Sequence, residues 1–154
     1  MENALIGGWQ ANAIGIVQGG FPFSIAANDP GSVNEAYSER ANLVGNPYPS
    51  GFNKSNNAWF NTAAFSQPVQ GAFGTSGRNI IRGPATQNLD LSLFKNFQVE
   101  RFSVQFRAES FNLLNHPQFG LPDSNVNDST FGVISTINTY HPGRQNQFAL
   151  KIVF

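Results

Sequence analysis

Cysteine is absent from the chain, which excludes disulfide staples and thiol chemistry. Charge is scarce as well: nine basic and nine acidic residues amount to 12% of the sequence and cancel to a formal net charge of zero. Soluble domains usually carry about 25%. There is no basic stripe to mark a nucleic-acid partner and no run of like charges to mark a charged membrane surface. Hydrophobic residues reach only 40%, and none of them gather into the run of about 20 that a membrane helix needs. Strong helix formers are thin. Gly, Asn, Ser and Phe are plentiful instead, with 15 Phe against two Trp and three Tyr. Low charge with modest hydrophobicity suits a sheet that is apolar on one face and polar but largely uncharged on the other.

The amino terminus, Met1 to Ile6, has neither a basic leader nor a small-residue cleavage site, so it does not read as a secretory signal. A strand pattern begins almost at once, over Leu5 to Val17. The expectation is therefore a carboxy-terminal piece of a longer protein. In that first segment Trp9, Ala11, Ala13, Gly15 and Val17 share one face, and Gln10, Asn12, Ile14 and Ile16 the other. Gly19-Gly20 makes a turn, and Phe21 to Ile25 reads as a short returning strand. Residues 26–87 hold no long periodic pattern. They are rich in turn residues, with one helical turn predicted within Asn57 to Phe65.

Three stronger strands follow. Leu89, Leu91 and Leu93 oppose Asp90 and Ser92 within Asn88 to Phe97. Phe102, Val104, Phe106 and Ala108 oppose Ser103, Gln105, Arg107 and Glu109 within Arg101 to Phe111. Phe148, Leu150, Ile152 and Phe154 oppose Gln147, Ala149 and Lys151 at the end of the chain. A tight hairpin is predicted around Gln98-Val99-Glu100, and a weaker strand over Phe131 to Ile137. Each strong segment approaches the roughly 9–11 residues of a tilted membrane strand.

Alternation of this kind also describes a soluble sandwich, which buries one face of each sheet. Three features favour a barrel wall. One connection is short while those at 18–87 and 115–144 are long, the asymmetry of outer-membrane barrels. The polar face carries Arg107, Glu109 and Lys151, which a barrel turns to its lumen. The last strand ends on an aromatic residue. The fold class expected is thus all-β, an incomplete antiparallel transmembrane barrel segment of about four long strands with two long extracellular insertions. A secreted or surface β-sandwich binding module is the alternative.

Five stretches carry a resemblance to a known family. Gly7-Gly8-Trp9-Gln10, with Gln18 to Ser24, resembles a GGWQ…SGxPF hairpin. Trp59 to Phe65 resembles a WFNPxAF loop, with Thr62 where Pro is usual. Gly77 to Pro84 and Leu89 to Phe97 resemble GRNxxRGP…DLSLFKNF. Arg107 to Pro117 resembles RAExFNxxNHP, and Pro142 to Gln145 with the closing strand resembles the family's last loop and terminal strand. Together these resemble the carboxy-terminal end of TonB-dependent outer-membrane receptors, in the Oar-like branch that carries a carboxypeptidase-regulatory-like domain.

The resemblance covers almost the whole chain and implies a barrel of roughly 22 strands in the intact protein. It implies location in the cell outer membrane and import of an unidentified substrate. Contact with TonB would be made only through an amino-terminal region not present here. It further implies that Phe148, Leu150, Ile152 and Phe154 form the closing strand read by the outer-membrane assembly machinery, running from outside to periplasm. Residues 18–87 and 115–144 then lie outside.

Catalytic patterns are missing. His116 and His141 stand alone, without the ligand spacing of a zinc site. Gly74-Thr75-Ser76-Gly77 is not a nucleophile elbow, and Gly71 to Gly77 lacks the Lys-Ser/Thr of a phosphate loop. Asp90 and Glu109 read as lumen residues paired with cations such as Lys95 or Arg107. No enzyme activity and no cofactor are expected. Outer-membrane lipid is the expected partner, and nucleic acid is not. Arg78, Arg82 and Arg144 sit at strand–loop junctions, where they either line a solute path or pair with loop carboxylates and carbonyls. Trp59, Phe60 and Phe65 are expected either to touch a substrate or to pack the loop.

Overall fold

A computed structural model describes residues 6–28, 38–137 and 143–153. His141, Pro142 and Phe154 lie outside them. Among the described residues ten strands run in chain order: β1 (Trp9–Gln18), β2 (Pro22–Phe23), β3 (Ala26–Asn28), β4 (Ser38–Arg40), β5 (Asn42–Leu43), β6 (Phe65–Ser66), β7 (Ile81–Arg82), β8 (Thr86–Val99), β9 (Phe102–Phe111) and β10 (Gln145–Val153). One short 3-10 turn, Thr62–Ala64, falls inside the segment where the sequence predicts a helical turn. The fold is all-β, as expected.

The chain divides into two compact units. The first, residues 1–18, 86–118 and 138–154, holds an antiparallel sheet of four strands in the order β1-β8-β9-β10. Its strands form where the period-2 pattern is clearest. The β8–β9 hairpin turns on two residues, Glu100 and Arg101, between the Val99–Phe102 pair, with Glu100 in the left-handed region at φ 53°. At the other end β1 and β8 pair directly over the whole length of β1, from Trp9–Lys95 to Gln18–Thr86. The sheet does not close on itself. β1 and β10 are its outer strands.

The second unit, residues 19–85 and 119–137, is assembled from strands of two or three residues and irregular loops. Its core is Phe23, Ile25, Ala27, Ala41, Phe60, Ala64, Phe65 and Ile81, with Trp59 and Phe131 packed against it. The long insertion is thus an organised body with its own apolar centre. Phe60 lies at the middle of the rings, 5.6 Å from Phe65, 5.2 Å from Phe131 and 6.4 Å from Phe23.

Two local expectations change. Phe21 to Ile25 does not return along β1. Its strand β2 pairs with β7, because Gly20 brings the backbone against Gly83, where a Cβ on Gly20 would sit 1.8 Å from the Gly83 carbonyl oxygen. Phe131 to Ile137 is not a strand either. Gly132 at φ 79° breaks the extended run, and Phe131 and Val133 donate to Asp128 and Thr130 in turns. Ile134 then enters the apolar interior as a loop residue.

Candidate functional site

Register decides what each face of the four-stranded sheet presents, since residues directly opposite one another share a face. Ala11, Leu93, Ala108 and Phe148 form one row, and Trp9, Lys95, Phe106 and Leu150 the next. Adding Leu89, Leu91, Phe97, Val104 and Ile152 completes a continuous apolar face. This face is uncovered by its own unit: Phe148 is 71% and Leu150 63% exposed. An apolar surface of this extent left open is a contact surface for something else.

The opposite face carries Gln10, Asn12, Asn88, Asp90, Ser92, Asn96, Gln105, Arg107, Glu109, Gln147 and Lys151. Its side chains bond to one another in short steps. Arg107 Nε donates to Gln105 Oε1 at 2.5 Å, and Gln105 Nε2 to Asn96 Oδ1 at 2.7 Å. The Arg107 guanidinium also lies 5.1 Å from the Phe94 ring centroid. Ser92 Oγ donates to Glu109 Oε1 at 3.4 Å. Asp90 Oδ1 accepts the Asn112 amide at 2.8 Å and the Asn88 side-chain amide at 2.9 Å. Arg107 and Glu109 thus occupy the polar face as expected, but Arg107 engages an amide and a ring, and Glu109 a hydroxyl.

Lys95 is the charged residue on the apolar face, whose Leu91 row also carries Ser110 and Asn146. It is buried, its ammonium donating to the Gly7 carbonyl and lying 4.9 Å from the Trp9 ring centroid. The lysine stem lies on apolar surface while its charged head is satisfied by a carbonyl and an aromatic face. The alternation carries the signal for it, since Lys95 stands two residues beyond Leu93 in the same phase. Lys95→Met is expected to cost roughly 1–2 kcal/mol, the loss of a cation–π contact and a charged hydrogen bond. A denaturant titration of the protein folded into lipid vesicles measures it.

Phe60 and Phe65 are core, at 1% and 7% exposed, and so pack the second unit. Trp59 is half-buried; its indole N–H donates to the Arg82 carbonyl at 2.7 Å, and Lys54 lies 5.2 Å from its ring centroid. Arg82 is exposed and donates to the Gly20 carbonyl at 3.3 Å, so it reinforces the β2–β7 contact. Arg144, in the first unit, is exposed; its amide donates to Asn115 Oδ1 at 3.1 Å and its guanidinium to the Leu113 carbonyl at 3.5 Å. Arg78 is exposed at a cleft of the second unit. His116 is exposed, and its backbone is clasped by Asn112. Among the described residues no cluster of His, Cys, Asp and Glu has the makings of a metal site.

Among the described residues, Tyr48 carries the resolved electrostatic perturbation. Burial pushes its hydroxyl above the ordinary value of 10.0, partly offset by the Arg82 backbone, which lies close without meeting hydrogen-bond geometry. A raised acid pKa in the folded state means stability that is complete below the ordinary value and is lost as pH rises through it. Tyr48→Phe is expected to remove this alkaline loss. At neutral pH it should be neutral or stabilising by up to about 1 kcal/mol, because the hydroxyl is buried unpaired. Thermal melts at neutral and alkaline pH check both parts.

Residues 1–147 match the outer membrane beta barrel domain. The chain belongs to that family. Its place is accordingly the outer membrane, and the open sheet with one apolar and one polar face is part of a barrel domain. No curated protein and no solved structure matches the chain significantly. The sandwich alternative lacks its second layer: among the described residues no strand outside the four-stranded sheet exceeds three residues.

Proposed function

We propose that the chain is the carboxy-terminal part of a TonB-dependent outer-membrane transporter of the Oar-like branch, a non-catalytic importer. The observation that carries this reading is the set of five motif stretches that follow that family's order from Gly7 to the closing strand. The sheet supports it physically. Its apolar face is the lipid-facing wall, its polar face lines the lumen, and Lys95 with Trp9 lies toward one membrane interface. The two-residue turn at Glu100-Arg101 is the periplasmic end. Residues 18–87 and 115–144, the long insertions, are then extracellular.

Backbone groups on the outer edges of β1 and β10 would each cost several kcal/mol if left unpaired in hydrocarbon. The reading therefore requires further strands on both edges, and this piece alone transports nothing. Binding of the full-length protein, extracted from outer membranes, to the periplasmic domain of TonB tests the transport assignment. Retention that depends on the region upstream of residue 1 is the expected result. Failure of the full-length protein to bind TonB overturns the transporter while leaving the outer-membrane barrel in place.

A further inference from the structure

The second unit contains a cleft of about 450 Å³, within the size range of small-molecule sites. Its wall includes Ser24, Ile25, Glu39, Arg40, Phe73 and Arg78. β3 and β4 supply one side, and the loop from Phe73 to Arg78 the other. That loop is held close by Gly74, where an added Cβ would meet the Arg40 carbonyl oxygen at 1.6 Å. Glu39 is 6% exposed, and its Oε1 accepts the Arg40 and Gly74 amides, both at 3.2 Å. Its carboxylate is thus committed to holding the two sides together.

The arginines are differently placed. Arg40 Nη1 donates to the Ser76 carbonyl at 2.9 Å, which fixes the guanidinium and leaves its other donors unbonded among the described residues. Arg78 is exposed and makes no hydrogen bond among the described residues. Phe73 is 61% exposed, an uncovered ring that lines the same cleft as the two arginines. An arginine already positioned by one bond loses less freedom when it binds a carboxylate, and its planar fork matches such a group.

We propose that this cleft binds a small organic anion, a carboxylate carried on an aromatic or apolar body. Arg78 and Arg40 take the carboxylate, and Phe73 lies against the body. The site goes beyond the transporter reading and does not rest on it, because binding is a property of the folded unit whether or not TonB is engaged.

The test is a fluorine NMR titration of the full-length protein in detergent with 4-fluorophenylacetate. The neutral 4-fluorophenylacetamide and inorganic phosphate serve as comparisons. Saturable binding of the acid is expected, with the amide weaker by at least roughly tenfold, the worth of a charged hydrogen bond. Arg78→Gln should weaken the acid by a similar factor and Phe73→Ala by several-fold, while Arg101→Gln, in the β8–β9 turn, leaves it unchanged. Both cleft substitutions alter exposed side chains, and amide exchange of the core confirms that the unit remains folded. Partition into detergent is linear and does not respond to Arg78→Gln. The proposal is overturned by any of four results: no saturable binding, equal binding of acid and amide, phosphate binding as tightly as the acid, or Arg101→Gln acting like Arg78→Gln.

Discussion

Phe60→Ala is expected to remove about 3–5 kcal/mol from the second unit, the cost of emptying a large aromatic from a closed core. The ring is 1% exposed and packs with the nearby Phe65 and with Phe23 and Phe131 from distant parts of the chain, so no neighbour can collapse into the space without releasing another. Gly132, whose backbone passes beside the Phe60 ring, has no side chain to fill the space. Domains of modest size hold only about 5–15 kcal/mol in total, so the loss is a large share. Hydrogen exchange on the intact protein reads the result locally. The Ala41 amide, bonded to the Ile25 carbonyl at 3.0 Å, should lose protection, while the amides of the β8–β9 ladder keep theirs. Unchanged exchange at Ala41 would show that the ring cluster does not hold the unit together.

The contrast between these two places reflects what alternation can carry. Leu89, Leu91 and Leu93, like Phe102 to Ala108 and Phe148 to Ile152, announce strands because every second residue repeats the same choice. The four long strands are therefore legible, and their ends less so. β8 reaches back to Thr86 because ladder hydrogen bonds form regardless of side chain, and Thr86 and Gln87 simply find Gln18 and Val17 opposite. Short strands leave no such trace. β2 and β7 pair over two residues, dictated by the close approach of Gly20 to Gly83, and two residues have no period.

The aromatic core is harder still to read. Phe23, the Phe60–Phe65 pair and Phe131 are far apart along the chain, and an aromatic that packs is spelled the same as one that binds. Of the three aromatics offered as packing or contact residues, burial assigns Phe60 and Phe65 to packing. Arg78 is visible in the sequence as a loop arginine, but Arg40 is not. Its place on the wall of the same cleft as Arg78 depends on a pairing of β3 with β4 that only the folded chain reveals.

Leu93→Arg is the sharpest test of the wall itself, because the adjacent Ser92→Arg is its control. Leu93 sits in the row Ala11–Leu93–Ala108–Phe148 on the apolar face, and Ser92 in the row Asn12–Ser92–Glu109–Gln147 on the other. If the apolar face meets hydrocarbon, Leu93→Arg is expected to cost about 2–4 kcal/mol, the value for arginine near the bilayer midplane. Ser92→Arg meets Glu109 and water and should cost little. Phe97→Arg supplies the discriminating third point. It shares the face of Leu93 but lies close to the hairpin turn, where the penalty falls to roughly 0–1 kcal/mol once allowance is made for the lost ring. A protein core would penalise both charges by burial alone, without reference to distance from the turn. Folding equilibria of the full-length variants in vesicles give the three numbers. Equal penalties at Leu93 and Phe97 would mean that protein, not lipid, covers this face.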